Sequence, residues 1–200
     1  MFNIAVLVSG SGTNMTKIIE NGIKINCVIA DRNCKAITIA EKNLIKTFLI
    51  DEKNNFKDEL LKILEERKID LIVLAGFLSI LDKKIINKYE KKIINIHPSL
   101  LPKYGGRGMY GINVHKAVFE NNEKESGCTV HYVDENIDTG NIILQEKINI
   151  EKLNSPEEIQ KKVLLKEWEL LPKVIKKILE ERKNWKELLF LFTTKMVFVK

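Results

Sequence analysis

Asn95 and His97 stand two residues apart in Ile93-Ile94-Asn95-Ile96-His97-Pro98. On a strand, that spacing turns both side chains to one face. Pro98 biases His97 towards extended backbone and stops the strand just after it. The pair therefore lies at a strand's C-terminal end, where open α/β sheets place their ligands. Asp138 follows 41 residues after His97, in an acidic turn running from Asp134 to Gly140. If that turn folds over the strand end, the carboxylate raises the His97 pKa and fixes its tautomer. Asn95 can donate to a developing oxyanion, an effect worth roughly 10²–10³ in rate. The three groups suit acyl transfer to an amine, with the histidine handling charge and protons. No nucleophile pairs with them: Ser99 lies across a proline and Cys128 sits in a strand. Direct attack by a substrate amine is the simpler scheme. Spacing alone is equally compatible with a polar edge strand whose histidine caps a turn.

A second constellation opens the chain. Ser9-Gly10-Ser11-Gly12-Thr13-Asn14 follows a buried strand and precedes a helix. That order aims backbone N–H groups at a phosphate, and it also suits a tight βα turn that needs glycines and nothing more. It is not the dinucleotide fingerprint, because Met15 occupies the third glycine position. Asp31, after the second strand, keeps a ribose-binding acid open. The connection Ser99–Gly111 holds four glycines and a proline, with Lys103 and Arg107 available to an anion; long loops in compact domains are usually functional. His115 reads as a helix-surface histidine and His131 as a packed strand histidine. No metal site is expected, since neither HxH nor HExxH occurs.

The elements that must position these residues alternate. Strands are expected at Asn3–Val8, Asn26–Ala30, Thr47–Ile50, Leu71–Ala75 and Ile93–His97. Helices lie between them at Met15–Asn21, Ala36–Asn43, Asn55–Arg67 and Asp82–Tyr89. This alternation predicts an α/β fold with a mostly parallel central sheet and helices on both faces. Ile112–Asn121 reads as a helix, and Gly127–Val133 and Ile142–Ile150 as strands. Ser155-Pro156-Glu157-Glu158 starts a helix reaching Lys183, with a break expected near Pro172. The apolar tail Asn184–Lys200 is open between an edge strand and a partner contact. One domain, 1–183, with an atypical tail, 184–200, is expected.

Thirty-three basic and 27 acidic residues give a net charge of +6. The lysines alternate with glutamates along helices, which is a solvated face more than a nucleic-acid stripe. No nucleic-acid partner is expected. Three cysteines outside any zinc spacing suggest a reducing compartment. With no signal peptide or membrane-length apolar run, the chain reads as cytoplasmic.

Asn95-Ile96-His97-Pro98-Ser99-Leu100-Leu101-Pro102, with Asp138-Thr139-Gly140 downstream, resembles the folate-dependent formyltransferases. Ser9–Asn14 and Leu74-Ala75-Gly76-Phe77 narrow the resemblance to the branch that formylates phosphoribosylglycinamide in purine synthesis. It runs from about Phe2 to Arg182. The resemblance implies a Rossmann-like formyltransferase fold, 10-formyltetrahydrofolate as formyl donor and no metal. It implies small-molecule substrates, no membrane partner, and a monomer or homodimer. The catalytic trio falls on Asn95, His97 and Asp138. The phosphoribosylglycinamide site falls on Gly12, Thr13, Asn14 and Glu167. The donor pocket falls on Lys53, on Leu78, Ser79, Ile80 and Leu81, on Asn95, and on Asp134, Glu135, Asn136, Ile137 and Asp138. Some members carry Arg where this chain has Ser79, and the tail after Arg182 departs from the family's usual end. A formyltetrahydrofolate hydrolase and a non-catalytic nucleotide-binding module are the competing readings. Folate turnover with and without glycinamide ribonucleotide separates them.

Overall fold

Runs of Ile, Leu, Val and Ala form the middle of the sheet because every side chain in them is covered. β1 (Ile4–Val8), β2 (Cys27–Ala30) and β4 (Leu71–Leu74) are buried at each position. Such runs belong to parallel strands packed on both faces. The computed structural model describes residues 2–50 and 55–197, with side chains described as far as Trp185.

Seven strands form one sheet in the order β3-β2-β1-β4-β5-β6-β7. β3 (Lys46–Leu49), β2, β1, β4 and β5 (Ile93–His97) are parallel. β6 (Glu125–Tyr132) and β7 (Ile142–Asn149) add to β5 antiparallel. The strand order reverses at β1, which lies between β2 and β4. The loops after β1 and β4 therefore leave the sheet to opposite sides of a crevice.

Alternate residues of each strand feed two cores. Ile4, Val6, Val8, Val73 and Ile94 pack under α1 (Thr13–Glu20), α2 (Lys35–Lys42), α5 (Ile112–Glu120) and α6 (Pro156–Val197). Ala5, Leu7, Ile29, Ile72 and Ile93 pack under α3 (Phe56–Glu66) and α4 (Lys83–Lys88). The Asp82 side chain caps α4 by accepting from Lys84 N. Element ends fall within about two residues of those the sequence predicts, the C-terminal end of α6 apart, the usual latitude for fraying termini.

Three expectations fail. Pro172 does not break α6, which runs 42 residues with the proline inside. A helical proline forfeits a backbone bond and costs about 3 kcal/mol. Leu170, Leu171, Val174 and Ile175 are each fully buried around it, and that anchorage outweighs the loss. The tail is not an edge strand: α6 continues through it to Val197. His115 is not on the helix surface. It is buried beside Val114 and Val118, because α5 packs against α6 and its covered stripe is wide.

Candidate active site

β5 carries its polar pair to the sheet's C-terminal edge, and β6 completes the arrangement. The antiparallel register sets Asn95 opposite His131 and His97 opposite Thr129. Directly opposed residues share a face, so both histidines and the amide converge. The turn after β6 then brings in Asp138, whose φ is +59°. Gly140 permits that turn, because a Cβ there would collide with the Tyr132 carbonyl.

Asp138 is the hub. Its Oδ2 lies 3.4 Å from His97 Nδ1 and accepts from Gly106 N at 3.0 Å. Its Oδ1 lies 3.6 Å from His131 Nε2 and 3.5 Å from Asn95 Nδ2. His97 Nε2 lies 2.8 Å from the Tyr104 carbonyl, so that nitrogen carries a hydrogen and donates. His131 Nδ1 lies 2.8 Å from the Tyr132 carbonyl and donates likewise. His131 Nε2 lies 3.2 Å from Asn95 Nδ2. These tautomers follow from the carbonyl partners.

A buried hydroxyl network holds the Tyr104 carbonyl in place. Thr129 Oγ1 donates to the Ser99 carbonyl at 2.6 Å and accepts from Leu101 N at 3.1 Å. Ser99 Oγ donates to the Lys103 carbonyl at 2.6 Å. Gln145 Nε2 closes the set on Leu101 O and Thr129 Oγ1, at 2.8 and 2.9 Å.

Burial governs the titration of the site. It draws the His97 pKa below its ordinary value, against the opposite pull of Asp138 and the Tyr104 carbonyl. A charged resting His97, the state expected from a carboxylate neighbour, is therefore not favoured: removal from water outweighs the carboxylate. Burial pushes Asp138 up, but the His131 contact, His97 and the Gly106 N–H together hold it below the usual carboxylate range. His115, driven down by burial and then by His97, falls to about 4 and stays neutral. Burial pushes the Cys27 thiol to about 11 and Cys128 higher still, so neither is a thiolate nucleophile.

These residues line a cavity of about 640 Å³. Leu78, Ile80, Leu81, Val133 and Ile137 give it an apolar wall. Ser11, Thr13, Asn14 and Glu167 give it a polar one, and residues 106–111 complete the lining. Asn14 Nδ2 donates to Glu167 Oε2 at 2.6 Å across 153 residues of sequence. Burial raises the Glu167 pKa, partly countered by that bond. Gly12, with φ +75°, sits just behind as the residue before α1.

Of the residues singled out from sequence, Thr13, Asn14, Glu167, Asn95, His97, Leu78–Leu81 and Asp134–Asp138 all line this cavity. Gly12 shapes the turn without lining it. Lys53 lies outside the described residues. His131 and the Thr129–Gln145 network went unrecognised as parts of the site. The period-two grouping of Thr129 and His131 was visible, but the pairing of β6 with β5 was not. Among the described residues, no cluster of three His, Cys, Asp or Glu side chains can hold a metal.

Residues 2–175 match the family model described as formyl transferase. The chain belongs to the formyl transferase family. It is 38% identical to the chloroplastic phosphoribosylglycinamide formyltransferase of Arabidopsis thaliana, over 92% of this chain and 68% of that one. It is 37% identical to the phosphoribosylglycinamide formyltransferase of Haemophilus influenzae, over 94% of this chain and 92% of the relative. The crystal structure of phosphoribosylglycinamide formyltransferase from Anaplasma phagocytophilum superposes with a TM-score of 0.83 at 33% identity, covering 90% and 88% of the two chains. The single α/β domain of this formyl transferase, with its mostly parallel seven-stranded sheet, is thus the fold of those enzymes.

Proposed function

We propose that the chain transfers the formyl group of 10-formyltetrahydrofolate to the amine of 5′-phosphoribosylglycinamide, giving formylglycinamide ribonucleotide and tetrahydrofolate in purine biosynthesis. The observation that carries this reading is one cavity shared by the Asp138 hub and the Asn14–Glu167 pair. The family and its phosphoribosylglycinamide-specific relatives support it.

The residues fit both substrates. The N-terminus of α1 stands at the polar end, where Thr13 and Asn14 line the cavity and a phosphate is welcome. Thr13 holds that phosphate on the turn that Gly12 shapes, and Asn14 with Glu167 receives the glycinamide part. Leu78, Ile80 and Ile137 are 49%, 68% and 40% exposed and form a half-open apolar slot for a flat ring. Ser79, Leu81 and the Asp134–Asp138 turn complete the donor side. Lys53 belongs to that donor site by resemblance. The donor supplies an activated formyl carbon at the Asn95 and His97 end.

Asn95 acts where charge develops on the formyl oxygen, and His97 handles the proton. One Asn95 N–H is held by Asp138 at 3.5 Å, the limit of a hydrogen bond. That N–H is the one an oxyanion recruits. His97 Nε2 is committed to Tyr104, so its Nδ1 edge, facing Asp138, gains and loses the proton. The neutral ring takes a proton as the amine attacks, and Asp138 stabilises the resulting imidazolium. The proton returns to the departing folate nitrogen when the carbon–nitrogen bond breaks.

The partners in this reading are small molecules, with the protein a monomer or homodimer. Residues 1–183 form the formyltransferase domain and 184–200 an appended tail; the family match ending at 175 supports that division. Two buried free thiols, Cys27 and Cys128, support a cytoplasmic setting. Among the described residues no helix is long and apolar enough to cross a membrane.

Formyl transfer is tested by following tetrahydrofolate release with and without phosphoribosylglycinamide. Release that depends on the amine, lost in His97→Ala with the fold intact, is expected. Release without the amine is the outcome of a hydrolase, and rates unchanged in His97→Ala overturn the scheme.

A further inference from the structure

A second buried carboxylate underlies the donor side of the cavity. Asp31 follows β2 directly, and its side chain is 0% exposed. The Ser79 hydroxyl donates to its Oδ2 at 2.5 Å. The Arg32 guanidinium donates to both oxygens, at 3.0 and 2.9 Å. The Ser9 oxygen accepts from Leu78 N at 2.8 Å, and the Ser9 hydroxyl is among the groups that lower the Asp31 pKa. Ser9 N in turn donates to the Gly76 carbonyl at 3.0 Å. The segment is thus tied at two neighbouring points, Leu78 N–H on the Ser9 hydroxyl and the Ser79 hydroxyl on Asp31.

These ties matter because packing reaches this segment through Phe77, stacked on Phe56, and leaves Leu78 and Ile80 largely uncovered. Leu78 and Ile80 are 49% and 68% exposed, yet they form the apolar wall of the cavity. Gly76, at φ +74°, turns the chain sharply out of β4 just before them. A wall with solvent on its own side chains keeps its shape through its backbone, and that backbone is anchored on Ser9 and Asp31. Charge-assisted hydrogen bonds to a dry carboxylate are the stronger kind.

We propose that Asp31 is a positioning residue for the formyl donor: acting through Ser79 and Ser9, it holds the 76–80 wall in the shape that receives the donor's flat reduced ring system. The inference rests on the reading of this cavity as a folate site. It makes no demand on the transfer chemistry.

The test is calorimetric titration with tetrahydrofolate, alongside steady-state kinetics in both substrates. Wild type is measured first, and absence of binding overturns the donor-site reading together with this proposal. With wild-type binding in hand, Asp31→Ala is expected to weaken tetrahydrofolate about tenfold, and Ser79→Ala about threefold. The KM for the donor rises in step, while kcat at saturating donor and the KM for the amine move less. Asp31→Asn retains an acceptor for Ser79 and recovers most of the affinity. Unchanged tetrahydrofolate affinity in Asp31→Ala and Ser79→Ala overturns the proposal. So does a parallel loss of both affinities and of kcat that Asp31→Asn fails to restore. Where Asp31→Ala does not fold, Ser79→Ala carries the test alone.

Discussion

His97 Nδ1 stands 3.4 Å from Asp138 Oδ2, with the two side chains 5% and 10% exposed. A proton gained by that nitrogen is therefore shared with a carboxylate largely shielded from water, where an ion pair is stronger than at the surface. His97→Ala and Asp138→Ala are each expected to lower kcat by about 10²–10⁴-fold. The double variant should be little slower than the worse single one, because the two groups act as a unit. Additive losses in kcat would separate their roles.

The titration of His97 itself can be followed by NMR of the ring. Its midpoint is expected below the ordinary histidine value, since burial outweighs Asp138. Asp138→Asn should move it lower still, because that substitution removes a negative charge that favours the imidazolium. An upward move would contradict the pull assigned to Asp138.

Gly12 is expected to resist substitution. Its φ is +75°, and a Cβ there would stand 2.8 Å from the Ala36 Cβ. Gly12→Ala should cost about 1–3 kcal/mol in thermal or urea unfolding. It should also raise the KM for the phosphoribosyl substrate more than that for the donor, because the turn aims the phosphate-binding N–H groups. Equal effects on both would place the damage in the fold alone.

His115 sets part of the acid stability. It is 2% exposed, and its folded pKa of about 4 lies below the unfolded value near 6.5. The unfolded chain then binds the extra proton first, so stability falls as pH drops from about 6.5 towards 4. By linkage the loss is on the order of 3 kcal/mol, and His97 contributes in the same direction. His115→Gln should flatten this dependence in urea melts at pH 7, 6, 5 and 4. A slope equal to wild type would remove His115 from the account.

Glu167 joins the amine side through Asn14, 2.6 Å away. Glu167→Ala leaves the buried Asn14 amide without its acceptor, which costs affinity beyond the lost contact. About a tenfold or larger rise in KM for phosphoribosylglycinamide is expected, with little change in donor affinity. A rise confined to the donor would reassign that end of the cavity.

Much of this protein is legible from residue order. The covered strands announce themselves because β-branched and leucine runs can be satisfied only between two layers, and the βα alternation then dictates a parallel sheet. Asn95, His97 and Pro98 place an amide and an imidazole at a strand end because side chains alternate with period two. The glycine turn before α1 is legible because few residues adopt the backbone it needs. What tertiary structure decided is everything that depends on pairing and packing across distance. The β5–β6 register put His131 on Asn95; the packing of α5 buried His115; the core held α6 unbroken through Pro172. The resting charge of His97 was settled by exclusion of water, which acts on the assembled site and leaves no mark on the sequence. Periodicity and steric preference are local and can be read along a chain, whereas desolvation and register are sums over neighbours that exist only once the chain has folded.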